Sequence, residues 1–254
     1  MITIIKKKIT NKNKIKTNNK PDQNSGFILI NKESGPTSHA IVNKLRKITG
    51  VKKIGHAGTL DPFASGLMIL AISRSSTKQI ERFLKLDKKY EADVFLGKAT
   101  DTYDRCGQIN FEYQGKKITK EKIEKTLEQI ARKKSQIPPM YSAKKVNGKK
   151  LYELARKNIE IKRKPQKINI FYIKITKYKW PNLKIKIHCS SGTYIRTIAD
   201  DLGKKLKCGA YLQELKRTEI GRYKLKKAIK LENLNQKNWN KFLLKNPNKL
   251  SGLK

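Results

Sequence analysis

Gly55-His56-Ala57-Gly58-Thr59-Leu60-Asp61-Pro62-Phe63-Ala64-Ser65-Gly66 sets three glycines, a histidine and a carboxylate in one short loop, and the chain leaves it directly into an apolar run at residues 67–72. Glycine lets backbone approach a ligand closely, and an Asp before Pro is held extended so that its side chain projects. On residue types alone, an Asp-Pro turn beside a hydrogen-bonded histidine is the stronger reading. The loop is not a P-loop, because no Gly-Lys-Ser/Thr follows. It is not a zinc deaminase motif either, because H-x-E and P-C-x-x-C are both missing.

Outward from this loop the hydrophobic periods alternate between strand and helix. Phe27-Ile28-Leu29-Ile30 predicts a short buried strand and Gly35-Pro36 a turn. Thr37 or Ser38 caps a helix whose apolar face is Ile41, Val42, Leu45 and Ile48, stopped by Gly50. Residues 67–72 predict a second buried strand. Tyr90, Ala92, Val94 and Leu96 mark a third strand ending at Gly97. A helix with Ile123, Leu127 and Ile130 on one side follows Thr119. Asn147-Gly148 predicts a tight turn, and residues 151–157 a helix. Residues 168–175 and then Leu183, Ile185, Ile187 and Cys189 alternate at period two across Trp180-Pro181-Asn182, an antiparallel hairpin with one wet, basic face. Ile195, Ile198, Ala199, Leu202 and Leu206 predict an amphipathic helix. Hairpins outnumber crossovers, so the expected class is α+β with a mixed, largely antiparallel sheet.

The charge balance narrows the function classes. The chain has 254 residues, and 60 Lys+Arg against 20 Asp+Glu leave a formal +40. Such an excess, spread along the chain, predicts a polyanionic partner and favours nucleic acid over a membrane surface. No stretch approaches the roughly 18 uncharged apolar residues that a membrane helix needs, and Lys6, Lys7 and Lys8 interrupt any signal-peptide run. A cytoplasmic protein is expected. Cys106, Cys189 and Cys208 are far apart and odd in number, which supplies neither a disulfide framework nor a CxxC zinc pattern.

Taken as a whole string, the Gly55–Gly66 loop resembles the catalytic motif of the pseudouridine synthases that act on the T loop of tRNA, the TruB family. Further stretches match in order: residues 26–32 with Gly35-Pro36-Thr37-Ser38; Lys89-Tyr90; Thr100-Asp101-Thr102-Tyr103-Asp104; Pro139-Met140-Tyr141-Ser142-Ala143 with Lys145 and residues 148–154; and His188-Cys189-Ser190 running into Gly192-Thr193-Tyr194-Ile195-Arg196. The resemblance covers residues 26–229. It implies a pseudouridine-synthase-like sheet with flanking helices, tRNA bound through its T arm, and a cofactor-free, metal-free isomerisation of uridine 55 by a monomer that needs no protein partner. In that reaction uracil leaves ribose C1′, turns, and rejoins through C5.

The resemblance also implies roles. Asp61 matches the catalytic aspartate, which either attacks the sugar or takes a proton from C2′. Arg196 matches its pairing arginine, an informative match in a chain with 50 Lys and 10 Arg, since a guanidinium holds a carboxylate in a fork and stays charged. Tyr90 matches the tyrosine that stacks on uracil and is placed to assist proton removal from C5. His56 matches the residue filling the gap left by the flipped base. Lys32, Tyr194 and Leu215 complete the implied substrate contacts, with Glu33 standing where the family has Pro and Lys144 where it has an apolar residue. Residues 1–25 are expected to be a disordered basic arm, 26–229 the catalytic domain, and 230–254 a short basic tail without a complete PUA-type domain. Two rivals stay open: a pseudouridine synthase for another RNA, and a non-catalytic RNA-binding or RNA-folding protein on the same scaffold. Intact Asp61, Tyr90 and Arg196 speak against the second.

Overall fold

A computed structural model describes residues 24–146, 148–157 and 159–245. The expected basic arm, up to residue 23, and Asn147 of the expected tight turn lie outside the described residues. The main elements are β1 (Gly26–Lys32), α1 (Ser38–Thr49), β2 (Ile54–His56), β3 (Ser65–Ile72), β4 (Lys88–Leu96), β5 (Lys98–Thr100), β6 (Ile109–Glu112), α2 (Lys120–Ala131), β7 (Ile170–Lys179), β8 (Asn182–Cys189), α3 (Ile195–Leu206), β9 (Ala210–Ile220), β10 (Tyr223–Lys224) and β11 (Ile229–Lys230), with short two-residue strands and turns of helix between. One nine-stranded sheet runs in the order β7-β8-β4-β9-β3-β1-β11, with β10 on β9 and β2 on β3. Among the described residues of this sheet, only β1–β11 and β9–β3 pair in parallel. This is the mixed, largely antiparallel α+β class that the sequence predicts.

Burial explains why two kinds of strand pattern occur in one sheet. β3 and β1 are covered on both faces, by a large core and by a smaller cluster around Phe27, Leu29, Ile69 and Tyr223, so they read as unbroken apolar runs. β8 is covered on one face only, so Leu183, Ile185 and Ile187 are buried while Lys184 and Lys186 point outward. The outer lysines are matched by acids across the strands: Lys184–Asp93 at 2.6 Å, Lys186–Glu91 at 3.5 Å, Lys89–Glu219 at 2.9 Å. Exposed pairs of this kind are worth about 0–1 kcal/mol each and serve register more than stability.

Local chemistry sets the helix ends. The Thr37 hydroxyl accepts from Ala40 N at 3.0 Å, a cap worth about 1 kcal/mol, and Gly50 ends α1 at φ 71°. Thr119 caps α2 in the same way, accepting from Lys122 N. The stretch read from sequence as a basic tail folds back from residue 231: Trp239 is buried, and Leu244 exchanges backbone hydrogen bonds with Phe27 of β1. Among the described residues no helix is long and apolar enough to cross a membrane.

The sequence pattern misses β9, the strand that joins β4 to β3. Its register shifts at Leu212/Glu214 and again at Arg217/Glu219, so its apolar residues never hold period two for long. It also buries a charged side chain, Arg217, at 1% exposure.

Candidate active site

The Asp61 loop is held from two sides. From the β1–α1 side, Lys32 Nζ donates to Pro62 O at 3.1 Å and Ala64 O at 2.5 Å, Gly35 N to Pro62 O at 2.8 Å, Ser34 Oγ to Phe63 O at 2.8 Å, and Ser38 Oγ bonds Leu60 at 2.9 Å. The Gly35-Pro36-Thr37-Ser38 string is therefore a cradle for the loop as well as a turn and a cap. From the opposite side, Arg217 Nε donates to Leu67 O at 2.8 Å, Nη2 to Gly58 O at 3.2 Å and Nη1 to Thr59 O at 3.4 Å. β9 comes so close that a Cβ on Gly66, at φ +109°, would lie 2.3 Å from Arg217 O, and only glycine fits there.

Arg196, on the first turn of α3, reaches Asp61 side-on: Nε lies 2.9 Å from Oδ2 and Nη2 donates to Oδ1 at 3.1 Å. Its remaining donors go to Tyr141 O at 2.7 Å, to Thr102 O at 3.1 Å and toward Asp104 Oδ2 at 3.3 Å. A guanidinium used on every edge is fixed in orientation, so it fixes the carboxylate too. Burial pushes the Asp61 carboxyl above the usual aspartate range, the Arg196 charge opposes this most strongly, and Asp104 pushes it further up. The carboxylate is set deep, yet a third of its side chain (33%) stays open, against 4% for Arg196. That opening faces a cavity of about 350 Å³ lined by Asp61, Tyr90, Tyr194, Arg196, Leu215 and Arg217 among others.

Tyr90, on β4, is opposite Arg217 in the β4–β9 register, and its hydroxyl accepts a hydrogen bond from that guanidinium. Burial drives the phenol up to about 12, so it is neutral and a proton donor at pH 7. Tyr194 precedes α3. The buried Gln136 amide holds its backbone at both ends, Oε1 accepting from Tyr194 N at 2.8 Å and Nε2 donating to Tyr194 O at 3.1 Å. Leu215, buried on β9, supplies an apolar wall.

Of the seven residues expected at the site, Asp61, Tyr90, Arg196, Tyr194 and Leu215 line this cavity, and His56 and Lys32 do not. His56 sits on β2 at the start of the loop, kept neutral by burial, with Nδ1 lacking a partner among the described residues. Lys32 is fully buried, and all three ammonium hydrogens go to carbonyls, of Glu33 as well as Pro62 and Ala64. Burial lowers it to about 8. It therefore holds the loop from beneath and does not line the cavity. Glu33 is accommodated simply: its side chain points outward and meets Lys230 at 3.4 Å. Lys144, half-buried, lines the cavity and donates to Gln166.

Sequence reading gave no role to Arg217, Asp104 or Lys88. Lys88 lines the cavity with its amine tied to Leu84 O and Leu86 O, and burial lowers it to about 8. The scarcity of Arg among so many Lys, which singles out Arg196, singles out Arg217 as well.

Two family profiles match the chain: "TruB family pseudouridylate synthase (N terminal domain)" over residues 46–195 and "tRNA pseudouridylate synthase B C-terminal domain" over residues 196–247. Curated relatives include tRNA pseudouridine synthase B of Protochlamydia amoebophila, 48% identical with 82% of this chain and 79% of that protein covered. The enzyme of the same name from Clostridium tetani is 40% identical, with 87% and 76% covered. Among solved structures, a Cbf5-Nop10-Gar1 complex contains a chain that superposes at TM-score 0.65 and 26% identity, over 83% of this chain and about half (53%) of that one.

Proposed function

The chain belongs to the TruB family of pseudouridylate synthases, and from that premise we propose that its substrate is uridine 55 in the T loop, flipped into the Asp61 cavity. The coarser statement needs no proposal: the protein is a tRNA pseudouridine synthase, an isomerase acting on RNA.

The observation that carries the finer reading is the two-pronged Arg196–Asp61 pair at the cavity floor. The reaction breaks N1–C1′, forms C5–C1′, moves a proton off C5 and returns one to N1, with no net loss of atoms. Asp61 either attacks C1′ or takes the C2′ proton, and either role needs the ionised form. Burial opposes that form, and Arg196 offsets part of that cost. Tyr90, walled by Leu215, offers a face to the uracil, and its hydroxyl lies in the same hydrogen-bonded unit as Arg217. A cavity of about 350 Å³ is within the range of small-ligand sites, enough for one extruded nucleoside and not for a stacked pair. His56, neutral and outside the cavity, suits filling the vacated stack better than proton transfer. On this reading the enzyme works in the cytoplasm as a monomer with no protein partner and no cofactor, and its catalytic unit is residues 26–229.

Release of the C5 hydrogen from T-loop RNA labelled at that atom tests the reading. One equivalent per uridine 55 is expected. Release from another RNA with none from the T loop would reassign the substrate, and no release from any RNA would leave a binding protein on the same scaffold.

A further inference from the structure

Lys88, Lys144, Arg196 and Arg217 line the Asp61 cavity, and all but Lys144 are spent inside the fold. Arg196 and Arg217 are buried, and their guanidiniums go to carboxylates, carbonyls and the Tyr90 phenol. Lys88, 6% exposed, holds its amine against Leu84 O and Leu86 O. Lys144 differs on each count. It is half-buried beside the exposed Ala143, which puts it at the mouth of the cavity and not at its floor. Its Nζ donates to one partner among the described residues, Gln166 Oε1 at 3.1 Å, and the rest of its ammonium hydrogens are uncommitted. It also stands where the family has an apolar residue. The surroundings hold this ammonium in place without cancelling its charge. Gln166 Nε2 donates to Gly192 O on the turn that leads into α3, and the Gln166 backbone pairs with Gln136 in a two-stranded ribbon. The Lys144 carbonyl accepts from Leu151 N at 2.9 Å, so backbone and side-chain tip are both fixed. A carboxylate in place of the Gln166 amide would orient the ammonium and neutralise it, as Asp93 does for Lys184 on the outer sheet face. A neutral amide orients it and leaves its full charge at the cavity.

We propose that Lys144 takes one of the two backbone phosphates flanking the uridine that enters the Asp61 cavity, a contact that an apolar residue at this position does not make. A base drawn out of its stack turns about its own sugar–phosphate backbone, so the flanking phosphates stay at the mouth while sugar and base go in. The cavity of about 350 Å³ holds one nucleoside, which leaves those phosphates away from its floor. A cation at the mouth with uncommitted donors can meet them, and among the described residues of the lining Lys144 is that cation. An ammonium meets a phosphate as a point charge and reads no base. The contact therefore sets how the nucleotide sits and not which nucleotide it is. The proposal rests on a tRNA uridine entering the Asp61 cavity, and it adds the side chain that anchors the backbone of that uridine.

The test is a cycle between the side chain and the phosphate. The full chain, Lys144→Leu and Lys144→Gln are each titrated with a T-loop hairpin RNA. The hairpin is either all phosphodiester or carries one uncharged methylphosphonate, on the 5′ or on the 3′ side of the target uridine. Leu is an apolar side chain of the family type, Gln keeps a polar tip beside Gln166, and Tm confirms folding of each variant. For the parent, one of the two methylphosphonates is expected to weaken binding roughly tenfold or more, as loss of a charge-assisted hydrogen bond does. Each variant is expected to lose about as much on the all-phosphodiester RNA, and at most about twofold further on that methylphosphonate RNA. The proposal is overturned if both methylphosphonates cost the variants as much as they cost the parent, or if the variants bind the all-phosphodiester RNA as tightly as the parent does. Weaker binding by the variants with no coupling to either phosphate would overturn it too, and would assign Lys144 to the base or the sugar. C5-hydrogen release by the parent from the all-phosphodiester hairpin is measured alongside. Its absence would count against the uridine-55 reading alone, because the binding cycle is read without turnover.

Discussion

Arg196 and Arg217 are both buried, at 4% and 1% exposure, and both line the cavity, yet opposite chemistry satisfies them. Arg196 meets two carboxylates, Asp61 and Asp104, as well as two carbonyls. Among the described residues Arg217 meets three carbonyls and a phenol and no carboxylate, and burial pulls its pKa down. The difference separates two tasks. A buried acid that must stay charged is given a counter-charge in a fixed fork, whereas a loop that must stay still is given a donor with many geometric commitments. Arg196 governs the charge state of Asp61, and Arg217 governs where the loop carrying Asp61 lies.

The variants that separate these tasks rank by size. Asp61→Asn keeps the turn and removes the charge, so single-turnover conversion should drop by about three orders of magnitude or more while tRNA affinity stays within a few-fold. Because burial raises the Asp61 pKa, the native state binds that proton more tightly than the unfolded chain does. Stability is then lost as pH rises from 3.8 through the shifted value. Asp61→Asn should therefore keep or raise Tm at pH 7, and a marked fall would mean that the pair is structural first.

Next comes Arg196→Lys, which keeps charge and loses the fork. Turnover should fall by roughly a hundredfold, well beyond any loss of affinity. Near-parental rates would mean that a positive charge without the fork is enough. Arg217→Lys should show the reverse emphasis. It strands carbonyls of Leu67, Gly58 and Thr59, lowers stability by about 2 kcal/mol, and drops Tm by roughly 4–8 °C, with a smaller loss of turnover than Arg196→Lys. If instead the two Lys variants lose turnover equally with Tm unchanged, the division of tasks fails. Smallest is Glu33→Ala, at the position where the family has Pro. Its carboxylate is 61% exposed and, among the described residues, pairs with Lys230, so Tm should move by less than about 2 °C and turnover hardly at all.

Much of this was legible in the sequence, for reasons that also mark the limit. Strands with a steady environment announce themselves: β3 and β1 by unbroken apolar runs, β4 and β8 by clean alternation, α1 and α2 by Thr caps with apolar faces. β9 did not, because two register shifts and a buried arginine break its period. That strand carries Leu215 and Arg217, so two residues of the cavity wall lay in the one long strand that periodicity could not find. The matched loop pointed correctly to Asp61 and Arg196 as neighbours. It could not show that Lys32 lies beneath the loop, because a lysine consumed by three carbonyls and one aimed at a substrate are the same letter.

The central claim, that Arg196 holds a buried Asp61 ionised, is tested most directly by the acid limb of kcat/KM against pH, measured for the parent and Arg196→Lys. Burial outweighs pairing in the parent, so its limb should lie above the 3.8 of an ordinary aspartate. Weaker pairing leaves burial less opposed, so in the variant the limb should move to still higher pH. A limb that stays in place, or moves down, would contradict the account.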